Sequence, residues 1–548
     1  MKNYRIDEEG NGLIPDHITE IEYGAFEDCT DIRRIEIPYG VTRIGNQAFL
    51  GCVNLTEIIF PDSLQEIGDS AFAGCSSLKH VVLPESISKI GESAFSNCRA
   101  LSKIEIPKSL TTIESRLFEN CVGLNEVNMP EGVRYIESLA FSHCDGIVKI
   151  HIPNSVYQVG YRVFDGCINL EEIVTPKILH FGNCPNLTSI ICNFNRVPSD
   201  FENRSHKIIT EYPNLQRFVV DTQNMGCVES CSFANSPITE VHLTNIEIIG
   251  YQSFKGCEKL TKVVLSDSLV EISDGAFAGC INLKEVEIPN SVIKIGNYAF
   301  SWCANIEHLS IPESVLSVGA FAFLGCASLS ELYVPKSIID IGTGAFADCC
   351  KLNRIVVDKN NSKYDSRNDC EAIVETSSNT LVVGCNNSTI LDSITSIGDY
   401  AFGGCADLIS MDIPTSIVSI GERAFNGCIN LEFIKIPNSV TKIGKGIFCG
   451  CESLTKVELS DKLTEIPSRA FCGCKNLSEI KILESIRKLG FMSFRDCVEL
   501  KEVKLPMSVC EIGAGTFYGC TKLKMVTSSN ADIKIGKGAF EDCISLNC

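Results

Sequence analysis

The sequence predicts a β-rich α/β solenoid, a right-handed curved stack of about 22 coils. Parallel strands would line its concave face, with short strands and turns on the convex face. Three observations carry this expectation. Cys29, Cys52, Cys75, Cys98, Cys121, Cys144 and Cys167 are each 23 residues apart, and the spacing returns over Cys257–Cys349 and again over Cys405–Cys543. A Phe stands three residues before every cysteine of this series, and a Leu or Ile three residues after it. Between these marks, short apolar beats alternate with polar residues and are closed by Pro or Gly.

The stretch Leu78 to Cys98, LKHVVLPESISKIGESAFSNC, shows how one coil is built. Leu78, Val81 and Leu83 form a first apolar beat that Pro84 ends. Ile87 and Ile90 form a second, closed by Gly91, and Ala94, Phe95 and Cys98 complete the turn before Leu101 begins the next coil. Neither piece is long enough to fold alone, so each must stack on its neighbours. Adjacent parallel strands lie about 4.8 Å apart, which makes the whole stack roughly 100 Å long.

A fixed period of this length opening on L-x-x-L-x-L is the mark of a leucine-rich-repeat solenoid. The units LTEIIFPDSLQEIGDSAFAGC and LEFIKIPNSVTKIGKGIFCGC resemble the BspA-like, or Treponema-type, leucine-rich repeats over nearly the whole chain. The resemblance implies an interaction protein, commonly a surface or secreted adhesin, with no catalytic residues to carry over. Hairpin inserts are common in such arrays.

Composition agrees with one long array. A repeat stack grows in one dimension and need not divide at 548 residues, and a hydrophobic content of 45% can fill a continuous core. The net charge of -20 opposes a nucleic-acid partner, because phosphate binding needs a basic surface. No apolar run reaches the roughly 18 residues of a membrane span. The opening residues, MKNYRIDEEGNGLIPDHITEI, lack the apolar core of an export signal, so the residues place the chain in the cytoplasm. The family resemblance implies the alternative, the cell surface or secretion.

Residues 1–19 read as an N-terminal cap, and 20–170 as a regular array. Over 171–237 the period fails. Coil starts at Leu187 and Leu215 follow their predecessors by 17 and 28 residues, while Pro185, Pro198, Pro213 and the polar run Glu202–His206 suggest irregular coils with longer loops. Regularity resumes over 238–357, with Ser236 in the cysteine place. Residues 358–392 read as a β-hairpin insert turning near Ser377 and Ser378, which sets Glu375 opposite Thr380, Ile373 opposite Val382 and Cys370 opposite Cys385. These last two thiols would be bonded in an oxidising compartment or stay reduced and half-buried. The array 393–548 is regular again and shows no polar cap after Leu546, an edge that either a longer chain continues or a partner covers, and that invites self-association.

Of the 30 cysteines, 19 follow the 23-residue series and read as buried, reduced thiols packed in a ladder. Cys449, Cys451, Cys472 and Cys474 form two C-x-C pairs in adjacent coils. Four such thiols could hold zinc, but the ladder points Cys451 and Cys474 inward and their neighbours elsewhere. No metal, cofactor or catalytic residue is assigned. Glycine pairs such as Gly342/Gly344 and Gly536/Gly538 belong to the repeat's own turn and not to a phosphate loop.

What remains is surface. The residue between the two inward positions of each first strand points to the open face. In mid-chain this column is unusually apolar, and it supplies the candidate partner-binding residues Val174, Ile191, Val219, His242, Val264, Tyr333 and Val356. From Asp412 through Lys435, Glu458 and Lys481 to Lys504 it is charged. Valine on an exposed strand also follows from β-propensity alone. The sequence therefore supports a non-enzymatic scaffold binding a protein or cell-surface glycan on the concave sheet. A self-associating structural protein, or a thiol or metal protein, are the alternatives.

Overall fold

The computed structural model describes residues 4–176, 181–194, 212, 214–228, 230–231 and 233–546. They form a β-solenoid of about 21 turns with parallel sheets. Among the described residues there is no α-helix, only a 3-10 turn at Arg367–Asp369. None is part of a helix long and apolar enough to cross a membrane.

The coil from Leu78 shows why the residues take this route. Its first strand, His80–Val81, buries Val81 and turns His80 outward. Pro84, which has no N–H to give a ladder, ends the strand, and its carbonyl accepts the Ile87 N–H at 3.1 Å to close a turn. The second strand, Lys89–Ile90, buries Ile90. Gly91 then lies so close to the coil before it that a Cβ would stand 2.5 Å from the Asp69 nitrogen. Only glycine fits there.

The regular coils stack in a 23-residue register on every side. Lys103, Ile104 and Glu105 pair with Glu126, Val127 and Asn128 in the first ladder, and Glu66 and Ile67 with Lys89 and Ile90 in the second. The third side has no strand, but its turns are bonded as regularly: the Phe72 N–H donates to Ala94 O at 2.7 Å, one coil on. Each buried side chain therefore sits on its own equivalent. The phenylalanines become a column of near-parallel rings, with Phe49 and Phe72 at 5.0 Å and Phe72 and Phe95 at 5.3 Å between centroids.

Two compact units can be distinguished, residues 1–226 with 237–245 and residues 227–236 with 246–548. In the first, Arg5–Ile6 pairs antiparallel with Asn11–Leu13, which then runs parallel to Arg34–Glu36. Tyr4 covers the end of the ring column, 5.0 Å from Phe26. Further on, Glu172 pairs with Ser189 and Ser189 with Arg217, offsets of 17 and 28 residues that the unequal coils absorb as longer strands. The ring column persists through them: Phe181 tilts against Phe164 and Tyr212, and the Tyr212 hydroxyl donates to Gly182 O at 3.2 Å. Pro198, Pro213 and the Glu202–His206 run lie outside the described residues.

In the second unit, the insert adds strands Tyr364–Asp365, Ile373–Glu375 and Thr380–Val383, paired antiparallel in turn; the last is then parallel to Ser396–Ile397. Glu375 lies opposite Thr380. Ile373, however, faces Val383 and not Val382, because the register shifts between Ile373 and Val374. Such an irregularity re-aims the bulged strand. Cys370 and Cys385 are both buried free thiols, and the Cys385 Sγ–H donates to Glu371 O at 3.3 Å. The coils on either side of the insert still meet, since Asp348 N–H donates to Gly403 O at 2.8 Å.

Candidate functional site

In both units the first ladder leaves one sheet face open, and the alternation within each strand decides what it shows. Ile58 points in and Ile59 out; Leu332 points in and Tyr333 out. In the first unit the open column runs through Ile59, Val82, Glu105, Asn128 and His151 to the candidates Val174, Ile191, Val219 and His242. The parallel register sets His151, Val174, Ile191 and Val219 side by side. Val174, Ile191 and Val219 are half-buried, as is His242, whose Nε2 lies 2.6 Å from Glu240 Oε1. The most exposed apolar residue of this column is Val82, at 80%.

In the second unit the candidates are exposed: Val264 by 39%, Tyr333 by 44% and Val356 by 37%. Tyr333 and Val356 are direct neighbours in register. With Leu309 and Arg354 they line an open groove of about 420 Å³. Charged pairs edge the apolar positions. Arg354 meets Glu331 at 3.8 Å, and the Tyr333 hydroxyl donates to Asp358 at 2.7 Å. That bond holds the Asp358 carboxyl below its ordinary range and raises the Tyr333 phenol. In the first unit, Lys103 lies 2.8 Å from Glu126 and 3.0 Å from Glu105, and these bonds raise its ammonium. Surface pairs of this kind orient side chains more than they stabilise the fold.

The thiols divide by the side of the turn on which they stand. Most ladder cysteines are buried, and in the regular coils they donate to the carbonyl of the phenylalanine 26 residues earlier, as Cys451 does to Phe425 and Cys474 to Phe448, both at 3.1 Å; Cys257 donates instead to Phe233 O and Cys405 to Gly384 O. Cys449 and Cys472 instead line an open groove. The four thiols of the two C-x-C pairs are thus not brought together, and among the described residues no group of three or more His, Cys, Asp or Glu is placed to hold a metal ion.

The BspA type leucine-rich repeat region is matched in six copies, over residues 11–125, 93–208, 149–261, 247–368, 382–497 and 441–548. Among curated proteins no match to the chain was found. Among solved structures, a leucine-rich repeat protein from Eubacterium ventriosum is 21% identical, over 64% of this chain and 88% of that one, with a TM-score of 0.46. A leucine-rich cell surface protein from Faecalibacterium prausnitzii is 21% identical, over 96% and 93%, with a TM-score of 0.32. The leucine-rich repeat protein of T. pallidum is 30% identical over 31% of this chain and 87% of its own, with a TM-score of 0.27. With six repeat regions spread over nearly its whole length, the chain belongs to the BspA-type leucine-rich repeat family.

Proposed function

We propose that this chain is a non-enzymatic scaffold that holds a protein partner against the open face of its first-strand sheet. The observation that carries the reading is the pair Tyr333 and Val356. Both are exposed, adjacent in register and edged by Arg354, Glu331 and Asp358. An apolar floor inside a charged rim is the anatomy of a protein interface, and tyrosine is among the residues that dominate such contacts. The test compares proteins retained from source-cell extract by the native chain, by Tyr333→Lys/Val356→Lys and by Lys435→Glu as a distant surface control. Loss of a retained protein from the double variant alone is the expected result. An unchanged set would remove this face from consideration, and capture of glycans without protein would replace the partner class.

The cytoplasm is the compartment we propose. Cys510 is exposed and Cys449 and Cys472 are half-exposed, and reducing compartments are where accessible cysteines persist as thiols. Protease shaving of intact source cells bearing tagged full-length chain tests this. Loss of the tag from the surface would assign the chain to the cell surface instead.

A second reading, self-association, rests on two exposed apolar residues, Ile535 by 60% and Ile544 by 82%, and on a groove lined by Leu505, Met525, Ile535 and Phe540. A second copy would cover these side chains. A mass by sedimentation that rises with concentration, and falls to the monomer in Ile535→Lys/Ile544→Lys, would support it.

A further inference from the structure

The turns on the third side of the solenoid carry a column of residues at positive φ, among them Tyr400, Arg423, Arg469 and Met492. Gly446 takes its place in this column between Arg423 and Arg469. The bonds Arg423 N–H to Lys445 O, at 2.8 Å, and Gly446 N–H to Ser468 O, at 2.9 Å, fix the three coils in order. Where the neighbours raise long side chains, Gly446 raises none, and a Cβ there would stand 3.1 Å from the Arg423 Cγ and 3.7 Å from the Cys449 Cβ. The gap opens into a notch of about 490 Å³ that Cys449 and Cys472 help to line.

The two thiols are equivalent residues of consecutive coils. Gly427 N–H donates to Cys449 O at 2.8 Å and Gly450 N–H to Cys472 O at 2.7 Å, so the two cysteines are neighbours across the stack. Coils about 4.8 Å apart lie within the Cα separation of roughly 4.4–6.8 Å that a disulfide spans. The walls are cationic. Arg423, Lys445, Arg469 and Arg495 line the notch against two carboxylates, Glu422 and Asp496, in a chain whose net charge is -20. Arg495 is drawn to Asp496 at 3.1 Å and Arg423 is held by a hydrogen bond to the Tyr400 hydroxyl at 2.6 Å, while Arg469 lies over the Phe491 ring.

We propose that this notch is a thiol–disulfide exchange site for small carboxylate-bearing disulfides, with Cys449 as the attacking thiol and Cys472 as the resolving one. The Cys449 thiolate attacks one sulfur of the bound disulfide. A mixed disulfide forms, the S–S bond of the small molecule breaks, and one thiolate leaves with a proton from solvent. Cys472 then gives up its proton and attacks Cys449 Sγ, releasing the second small thiol. Two cysteine thiols are oxidised to one disulfide, and one small disulfide is reduced to two thiols.

The charge distribution favours this order. The neighbouring Cys472 thiol is the main cause that lowers the Cys449 thiol to about 7, with Arg423 and Arg469 adding to it against burial and the nearby Cys451. Cys472 is raised, chiefly by the neighbouring Cys449. Once Cys449 is tied up in a mixed disulfide it carries no charge, and the reason for Cys472 to keep its proton is gone. A thiol whose pKa lies near ambient pH is also the best compromise between thiolate fraction and nucleophilicity.

The test uses the full reduced chain, glutathione disulfide as the anionic probe and 2-hydroxyethyl disulfide as the neutral one, with peptide mass spectrometry following each cysteine. Exposed Cys510 is the internal standard. With glutathione disulfide at pH 7, Cys449 should react about tenfold faster than Cys510 and end as a Cys449–Cys472 disulfide. Cys472→Ser should stop at the tripeptide adduct on Cys449. Gly446→Met, which fills the notch with a side chain the same column tolerates at Met492, should bring Cys449 to the Cys510 rate or below. Arg423→Gln/Arg469→Gln should erase the preference for the anionic probe. Equal rates at Cys449 and Cys510 in the native chain would overturn the proposal without any variant. So would a Gly446→Met chain that reacts as fast as the native one.

Discussion

The Sγ–H of Cys121 donates to the carbonyl oxygen of Phe95, in the preceding coil, at 3.2 Å. The same oxygen accepts the N–H of Cys98, its own coil's cysteine, at 3.4 Å. A ladder cysteine of a regular coil thus closes one turn with its backbone and ties that turn to the coil before it with its side chain. A carbonyl has two lone pairs, and here both are used. The arrangement repeats from Cys52 to Phe26 and from Cys520 to Phe494.

Cys121→Ala should therefore lower stability by about 1–2 kcal/mol, through a buried acceptor left with one donor and a small void. Cys121→Ser keeps a donor and should be the milder of the two. Paired thermal or urea unfolding of the variants measures the difference, and equal losses would show that the S–H bond contributes nothing beyond packing.

The ladder also makes the fold sensitive to alkali. Burial pushes the thiols of Cys121, Cys167 and Cys451 up to about 12, from an ordinary value of 9.0. A folded pKa above the unfolded one means that the folded chain holds its proton more tightly. The stabilisation is complete below pH 9 and is lost as pH rises towards 12, by up to about 1.4 kcal/mol per pH unit for each such thiol. Unfolding followed between pH 8 and 11 should show stability falling steeply above 9, and less steeply when Cys121 and Cys451 are both alanine.

How much of this was legible in the sequence depends on whether a feature repeats. The coil route, the parallel stacking and the inward Phe–Cys column follow from periodicities that any one unit displays. The unequal pairing of Ser189 with Glu172 and Arg217 follows from the 17- and 28-residue offsets of Leu187 and Leu215. The half-burial of Val174, Ile191 and Val219 does not, because it depends on how far the lengthened strands of the irregular coils cover one another. The shift between Ile373 and Val374 was equally hidden, since a run of apolar residues on both strands satisfies either register. The notch at Gly446 left only a faint mark. Glycine stands at the same turn position in Gly275 and Gly344, and only the arginines on both sides and the unusual Cys449 and Cys472 set it apart.

The bond from Tyr333 to Asp358 predicts a local titration. It favours the carboxylate, so Asp358 should take up its proton below the ordinary range, and whatever the bond adds to the folded state is present above that range and lost as pH falls through the lowered pKa. Tyr333→Phe removes the donor and should move the Asp358 midpoint upward. Carboxyl-carbon NMR of the native and variant chains reads it directly, and an unmoved midpoint would mean that the backbone and side-chain N–H groups of Asn360, 2.8 and 3.1 Å from the same carboxylate, hold it without the tyrosine.

Gly384 predicts a local effect of a single methyl group. The insert's last strand occupies the second ladder, as the pairing of Leu381 with Ile397 shows, and Gly384 then falls where other coils place their phenylalanine. Its N–H donates to Ala401 O at 2.7 Å, the bond that Phe402 repeats with Ala424 one coil on. With no ring at Gly384, the edge of Phe402 moves into that place, and a Cβ on Gly384 would collide with it. Phe402 has Phe425 on its other side, 5.1 Å away and nearly parallel, so the ring has nowhere to retreat. Gly384→Ala should cost about 1–3 kcal/mol by overpacking, although alanine is the better residue for backbone entropy. Phe402→Leu in the same chain shortens the side chain and should restore part of the loss. Unfolding of the two single variants and the double variant measures the coupling; additive losses would show that Gly384 and Phe402 do not share this space.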